Sequence, residues 1–198
     1  MDCVPYNELT LCGTLADTPC FSHESHGINF YTFPLCIKRL SGTEDIINVI
    51  SSEPLLPCEL HPGDFLCLNG ELRSFNNNSG TGNKLAIYAF AKTLRQTDAE
   101  FRNELKLGGI VCKPPIYRRT PLGREICDLM IAINRRYGRS DYLPCITWGR
   151  LSGAASVLTP GDFIHITGRI QSRSYVKAFE THEEMRIAYE VSVFTLEK

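Results

Sequence analysis

Apolar and polar residues alternate along much of this chain, and the period is that of strands. Cys127, Leu129, Ile131 and Ile133 interleave with Asp128, Met130, Ala132 and Asn134. This period of two predicts a strand with one buried face. Leu105-Lys106-Leu107 and Gly109-Ile110-Val111-Cys112 form a strand before it, and Tyr142 to Trp148 one after it. Ile164, Ile166, Gly168 and Ile170 alternate with His165, Thr167, Arg169 and Gln171 in a fourth, and Ile187, Tyr189, Val191 and Val193 mark a fifth. Between the third and fourth, Ser152 to Leu158 predicts a short helix that closes before Pro160.

The chain also repeats itself. Asn7-Glu8-Leu9-Thr10-Leu11-Cys12-Gly13 returns as Asn103-Glu104-Leu105-Lys106-Leu107-Gly108-Gly109, an offset of 96. That offset carries Arg39 to Arg135, Gly42 to Gly138 and Asp45 to Asp141. Pro62-Gly63-Asp64-Phe65 matches Pro160-Gly161-Asp162-Phe163 at offset 98, and Thr93-Leu94 matches Thr195-Leu196 at offset 102. A register kept with small insertions at loops predicts two copies of one domain, residues 1–98 and 99–198. Five strands and one short helix per copy describe an all-β chain of two tandem five-stranded OB-fold barrels. In the first copy the helix position holds Ser52-Glu53-Pro54-Leu55-Leu56-Pro57, where two prolines disfavour a regular helix. Asn76 to Asn83 there predicts a flexible polar loop.

Composition changes the picture once it is divided. The 198 residues carry a formal charge of −1, which argues against a polyanion binder. Residues 1–98 hold six basic against eleven acidic side chains, a balance of −5. Residues 99–198 hold fifteen basic against eleven acidic, a balance of +4, and eleven of those fifteen are arginine. Such asymmetry points to contact with nucleic acid or a membrane surface. No apolar run nears the roughly 20 residues of a spanning helix. Met1-Asp2-Cys3-Val4-Pro5 lacks the basic opening of an export signal, and the nine cysteines show no C-x-x-C pair. Reduced thiols and a cytoplasmic location are therefore expected. Cys20, His23 and His26 are zinc-capable ligands in a loop-like stretch without a clear fourth, so neither a metal nor another cofactor is expected. No nucleophile–base spacing or phosphate loop suggests an enzyme.

The candidate chemistry lies in the second copy. Tyr142 and Trp148 share a strand face by even spacing. The hairpin Asn134-Arg135-Arg136-Tyr137-Gly138-Arg139 sets a ring among arginines, and the fourth strand leads through Arg169 and Arg173 to Tyr175 and Lys177. Cations interleaved with rings suit a single strand, the cations tracking phosphates while rings stack on unpaired bases.

Residues 103–196 resemble the bacterial single-stranded DNA-binding protein family. The resemblance rests on Pro115-Ile116-Tyr117-Arg118-Arg119-Thr120-Pro121-Leu122-Gly123, Ala132-Ile133-Asn134-Arg135-Arg136, Trp148-Gly149-Arg150-Leu151, Pro160-Gly161-Asp162 and Gly168-Arg169-Ile170-Gln171-Ser172-Arg173-Ser174-Tyr175. It implies stacking by Tyr137, Tyr142, Trp148 and Tyr175. Phosphate contacts would fall among Arg135, Arg136, Arg150, Arg169 and Arg173, while Arg118, Arg119, Arg139 and Lys177 are further candidate nucleic-acid contacts. It further implies sequence-tolerant binding of single-stranded DNA in replication, recombination or repair. By analogy with two-barrel members, it also implies a homodimer presenting four barrels. The family's acidic tail is not visible after Thr195-Leu196-Glu197-Lys198, so either a tail has been removed or no enzyme is recruited that way.

At the same offsets Tyr137 becomes Ser41, Tyr142 becomes Ile46, Trp148 becomes Ser52 and Arg169 becomes Glu71. The first copy is thus expected to be mainly structural or a docking surface, with a strand crossing it at most weakly by Phe75, Lys38 and Arg39. The alternative function is an OB-fold docking module of a replisome or primosome.

Overall fold

A computed structural model of the chain describes residues 4–77, 83–135, 138–178 and 183–198. The first copy folds into β1 (Tyr6–Leu15), β2 (Cys20–Ser25), β3 (Ile28–Lys38), β4 (Glu44–Ser52), β5 (Phe65–Asn76) and β6 (Leu85–Gln96). The second gives β7 (Arg102–Val111), β8 (Ile116–Arg119), β9 (Glu125–Asn134), β10 (Ser140–Trp148), α1 (Arg150–Ser156), β11 (Phe163–Ala178) and β12 (Glu183–Glu197).

Within each copy the strands close on themselves. β2-β3-β4-β6-β5-β1 run in hydrogen-bonded order, and β1 also pairs β3 through Thr14 and Cys36. In the second copy the order is β8-β9-β10-β12-β11-β7, and β7 returns to β9 through Ile110 and Ala132. β10 and β12 run parallel, as do β4 and β6; β1 and β5, β2 and β3, β3 and β4, β8 and β9, β9 and β10, and β11 and β12 are antiparallel. This is the OB-fold barrel in both copies.

Alternation decides which side chains fill each barrel. Leu129, Ile131 and Ile133 of β9 and Ile164, Ile166 and Ile170 of β11 are buried, as the period of two predicts. Each such side chain contributes roughly 1.5–3 kcal/mol on leaving water. Leu9, Leu11, Leu35, Leu66 and Leu68 do the same in the first copy.

Residues matched between the copies do matched backbone work. In Pro62-Gly63-Asp64, Gly63 N donates to Leu15 O and Leu15 N to Asp64 O, both at 2.8 Å. Gly161 N and Val111 N repeat this with Val111 O and Asp162 O at 2.9 Å. Gly63 and Gly161 both sit at φ +102°, which a side chain resists. Gly70 and Gly168 hold another shared position: a Cβ there would collide with the carbonyl oxygens of Phe90 and Ser192.

Three local expectations are revised. Cys20–Ser25 is a strand rather than a loop, paired to β3 with His23 opposite Phe30. The helix spans Arg150–Ser156, two residues earlier than Ser152–Leu158, because Gly149 at φ +56° turns the chain directly after β10. In the first copy its place is taken by a 3-10 turn, Glu53–Leu55, with Pro54 in the first positions, where a missing N–H costs nothing. The thiols are not all reduced: Cys12 and Cys67 face each other in the β1–β5 register and form a disulfide. Their sequence separation of 55 gives no C-x-x-C signal, since only strand pairing brings them together.

By spatial proximity the chain forms two compact units, residues 7–73 with 88–105, and residues 1–6 with 74–87 and 106–198. The end of the β5–β6 hairpin thus belongs with the second copy's barrel. Among the described residues no helix is long and apolar enough to cross a membrane. Part of the Asn76–Asn83 loop, residues 78–82, lies outside the described residues.

Candidate nucleic-acid interface

β10 sends Leu143, Cys145 and Thr147 into the barrel, so its even-numbered side chains lie on the opposite face, where Ile146 is itself covered. At the two ends of that outer face Tyr142 remains 46% and Trp148 38% exposed. The β9 partners on this face are Ala132 opposite Tyr142, Met130 opposite Pro144 and Ile126 opposite Trp148. β8 extends it by setting Arg118 opposite Ile126, two strands from Trp148. On the other side Ile146 pairs Ser192, and Ser192 pairs Arg169. One continuous sheet face therefore runs from Arg118 through Trp148 and Tyr142 towards β11.

At the far end of β11 the exposed Arg173 guanidinium stands 5.8 Å from the Tyr175 ring centroid. That ring is held by its hydroxyl, which donates to Asn83 Oδ1 at 2.7 Å; Asn83 Nδ2 in turn donates to Ile187 O. Arg169 lies over the Phe194 ring at 5.7 Å. Arg139, Arg150 and Lys177 are exposed. Arg150 opens α1, two residues after Trp148.

Three other predicted cations are paired with acids inside the same unit. Arg118 Nε donates to Asp128 Oδ2 at 2.7 Å, and Arg119 Nη2 to Glu125 Oε1 at 3.0 Å. Hydrogen bonds from Tyr117 and Arg119 hold the Glu125 carboxyl below the usual carboxylate range, and the bond to Glu125 raises the Tyr117 hydroxyl. Arg135 turns inward, with its side chain 15% exposed, and donates to Asp141 Oδ1 at 2.7 Å. Asp141 Oδ1 also accepts Ser74 N, and Ser74 Oγ accepts Tyr142 N, both at 2.7 Å.

The first copy repeats this pair as Arg39 with Asp45, Nε to Oδ2 at 2.6 Å. Both pairs close the same turn, where Arg39 N donates to Thr43 O at 2.8 Å and Arg135 N to Arg139 O at 2.7 Å. Arg135 is thus placed as the anchor of the connection between β9 and β10, the stretch of sequence that contains Arg136 and Tyr137. Those two expected site residues lie outside the described residues.

The structure thus brings together Tyr142, Trp148, Arg118 and Arg169 on one face, and Arg173 with Tyr175 farther along β11. Ser74 and Asn83 support these positions and carried no signal in the sequence. Their partners are 67 and 92 residues away, and the two-copy comparison assigns them to the other domain. Tyr117, 43% exposed on β8, lies inside the motif that carried the resemblance but was given no role there.

Comparison with known proteins adds to this geometry. Residues 102–196 match the model of the single-strand binding protein family. A single-stranded DNA-binding protein 2 of Streptococcus agalactiae is 30% identical over 89 residues, 41% of this chain and 67% of the relative. The single-stranded DNA-binding protein of Clostridium tetani is 32% identical over 80 residues, 37% of this chain and 55% of its own length. A solved single-stranded DNA binding protein from Thermus aquaticus superposes with a TM-score of 0.80 at 21% identity. It covers 98% of this chain and 93% of its own. The first two relatives align with less than half of this chain, whereas the Thermus fold spans both barrels. The family match over the second barrel and the Streptococcus relative together establish that the chain belongs to the single-strand binding protein family.

Proposed function

We propose that this protein binds single-stranded DNA with little regard to sequence and performs no catalysis. Tyr142 and Trp148 carry the proposal. They are two exposed rings on the outer face of a strand whose alternate residues fill the core. Bases stack on such rings at roughly 1–3 kcal/mol each, and every base offers a ring face, which makes the binding sequence-tolerant. Tyr175 supplies a third ring, and Tyr137 a fourth by its place in the family motif.

The exposed Arg139, Arg150, Arg173 and Lys177 meet phosphates, and Arg136 joins them by its place in the family motif. Arg118, Arg119 and Arg169 flank the path. Arg118 and Arg119 already have acidic partners, so their exchange to phosphate yields less. Arg135 contributes by fixing the hairpin.

The two copies are divided at residues 98 and 99, and the assembled form is a homodimer with four barrels. Trp148→Ala and Tyr142→Ala test the reading by anisotropy of a labelled oligo-dT. Each should weaken binding by about 5- to 100-fold, the range of one lost stacking contact. Unchanged affinity in both would refute the reading and leave the docking module in its place.

A further inference from the structure

The register between strands shows something that position-by-position comparison of the copies hides. In the second copy Trp148 of β10 sits opposite Ile126 of β9. In the first copy the corresponding pair is Ser52 of β4 opposite Phe30 of β3. The ring is not lost but moved across one strand pair, exchanging a large residue opposite a medium one for a small residue opposite a large one. Directly opposed side chains on one face stand only about 4.5–5.5 Å apart at Cβ. A ring on either strand therefore covers nearly the same patch of sheet.

Phe30 does not stand alone. His23 of β2 stacks on it, with ring centroids 5.0 Å apart and planes 5° from parallel. Phe90 of β6 lies on its other side at 6.0 Å. The Arg73 guanidinium lies over Phe90 at 4.6 Å, and Glu71 bridges Arg73 to Lys92. All of these belong to one compact unit. The core-facing neighbours Phe33 and Ala89 are buried, which fixes Phe30 and Phe90 on the outer face. The second copy has Ile126 and Ser192 where these two rings stand.

We propose that the first copy carries its own stacking site for a single-stranded nucleic acid, built from His23, Phe30 and Phe90 with Arg73 and Lys92 at its edge. It rests on the reading of the second copy's face as a strand-binding surface. The exposed His23 ring ends this half-exposed aromatic ledge with its outer face free of Phe30, and the guanidinium over Phe90 gives the other end a cationic edge, which suits unpaired bases on a phosphate chain. Glu71 partly neutralises that edge, so this site depends on stacking more than on charge and is less sensitive to salt than the second copy's.

The test uses the full chain and two oligo-dT lengths, about 12 and about 35 nucleotides, chosen because one OB barrel occupies roughly 4–16. Phe30→Ile, which places there the residue type of the second copy, should weaken binding of the long oligomer about 5- to 100-fold. It should leave the short one nearly unchanged. Adding Ser52→Trp to that variant rebuilds the second copy's pair and should restore the long-oligomer affinity. In the unsubstituted chain, photocrosslinking of 5-iodouracil-substituted oligomer should place adducts at His23, Phe30 or Phe90, a readout that no folding defect can mimic. Full long-oligomer affinity in Phe30→Ile, with adducts confined to the second copy, would overturn this proposal while leaving the second copy's role standing. Absence of binding to either length by the unsubstituted chain would overturn both.

Discussion

Asp45 and Asp141 are almost sealed from water, and each is answered by an arginine six positions earlier. Removing one partner of such a pair leaves a charge stranded, at a typical cost of 3–5 kcal/mol. Asp141→Asn should therefore lower stability by about 3 kcal/mol, read as a shifted urea midpoint, and Asp45→Asn should behave alike. The thiols are graded in the same way by their surroundings. Cys20 and Cys58 are exposed, whereas burial pushes the Cys145 thiol far above its ordinary value. Under non-reducing native conditions a thiol reagent should modify Cys20 and Cys58 quickly, spare Cys145, and find Cys12 and Cys67 unreactive. At this scale the sequence comparison located Arg39, Asp45, Arg135 and Asp141 as equivalent, but could not tell a hairpin anchor from a phosphate ligand. That distinction depends on which way the side chain turns. The Asp partners six residues away decided it.

The long strands were legible because alternation and burial share one period, as in β9 and β11. β2 and β8 were not. Both are edge strands whose residues are mostly exposed, so no buried face imprints a pattern on Cys20–Ser25 or Ile116–Arg119. Pairings across distance were equally hidden, among them Cys12 with Cys67 and Tyr175 with Asn83. The first closes a 55-residue separation, so reducing it should cost up to about 4 kcal/mol in the denaturation midpoint. Asn83→Ala removes the acceptor of the Tyr175 hydroxyl and should weaken oligomer binding by several-fold without abolishing it, as anisotropy would show. Acid acts on the turns and strand faces through carboxylates. Burial raises Glu71, but Lys92 and Arg73 outweigh it and hold the carboxyl below its ordinary value; Lys198 and the Thr159 amide do the same for Asp162. A depressed folded value stabilises above the unfolded one, so this contribution is full at neutral pH. It should drain away on acidification below about pH 4.5, visible in thermal midpoints.

For the whole molecule, the net charge of −1 conceals two copies with opposite balances and different surfaces. What the copies share, the Pro-Gly-Asp turns, the close-approach glycines and the buried ion pairs, builds the barrel. What they do not share lies on the outer sheet face, where Trp148 on one strand answers to Phe30 on another. Comparison at fixed offsets reads that exchange as loss, because it follows chain position while stacking follows the surface. A homodimer should sediment near twice 22.3 kDa. The claim that this face binds a single strand through rings and phosphates is tested most directly by titrating oligo-dT into the full chain and following Trp148, the one tryptophan, at several salt concentrations. Fluorescence should be quenched to saturation. The logarithm of affinity should fall with the logarithm of salt at a slope between about −2 and −4, as expected when four or so cations meet phosphates at roughly 0.7 each. Binding without any change at Trp148, or no binding at low salt, would contradict the account.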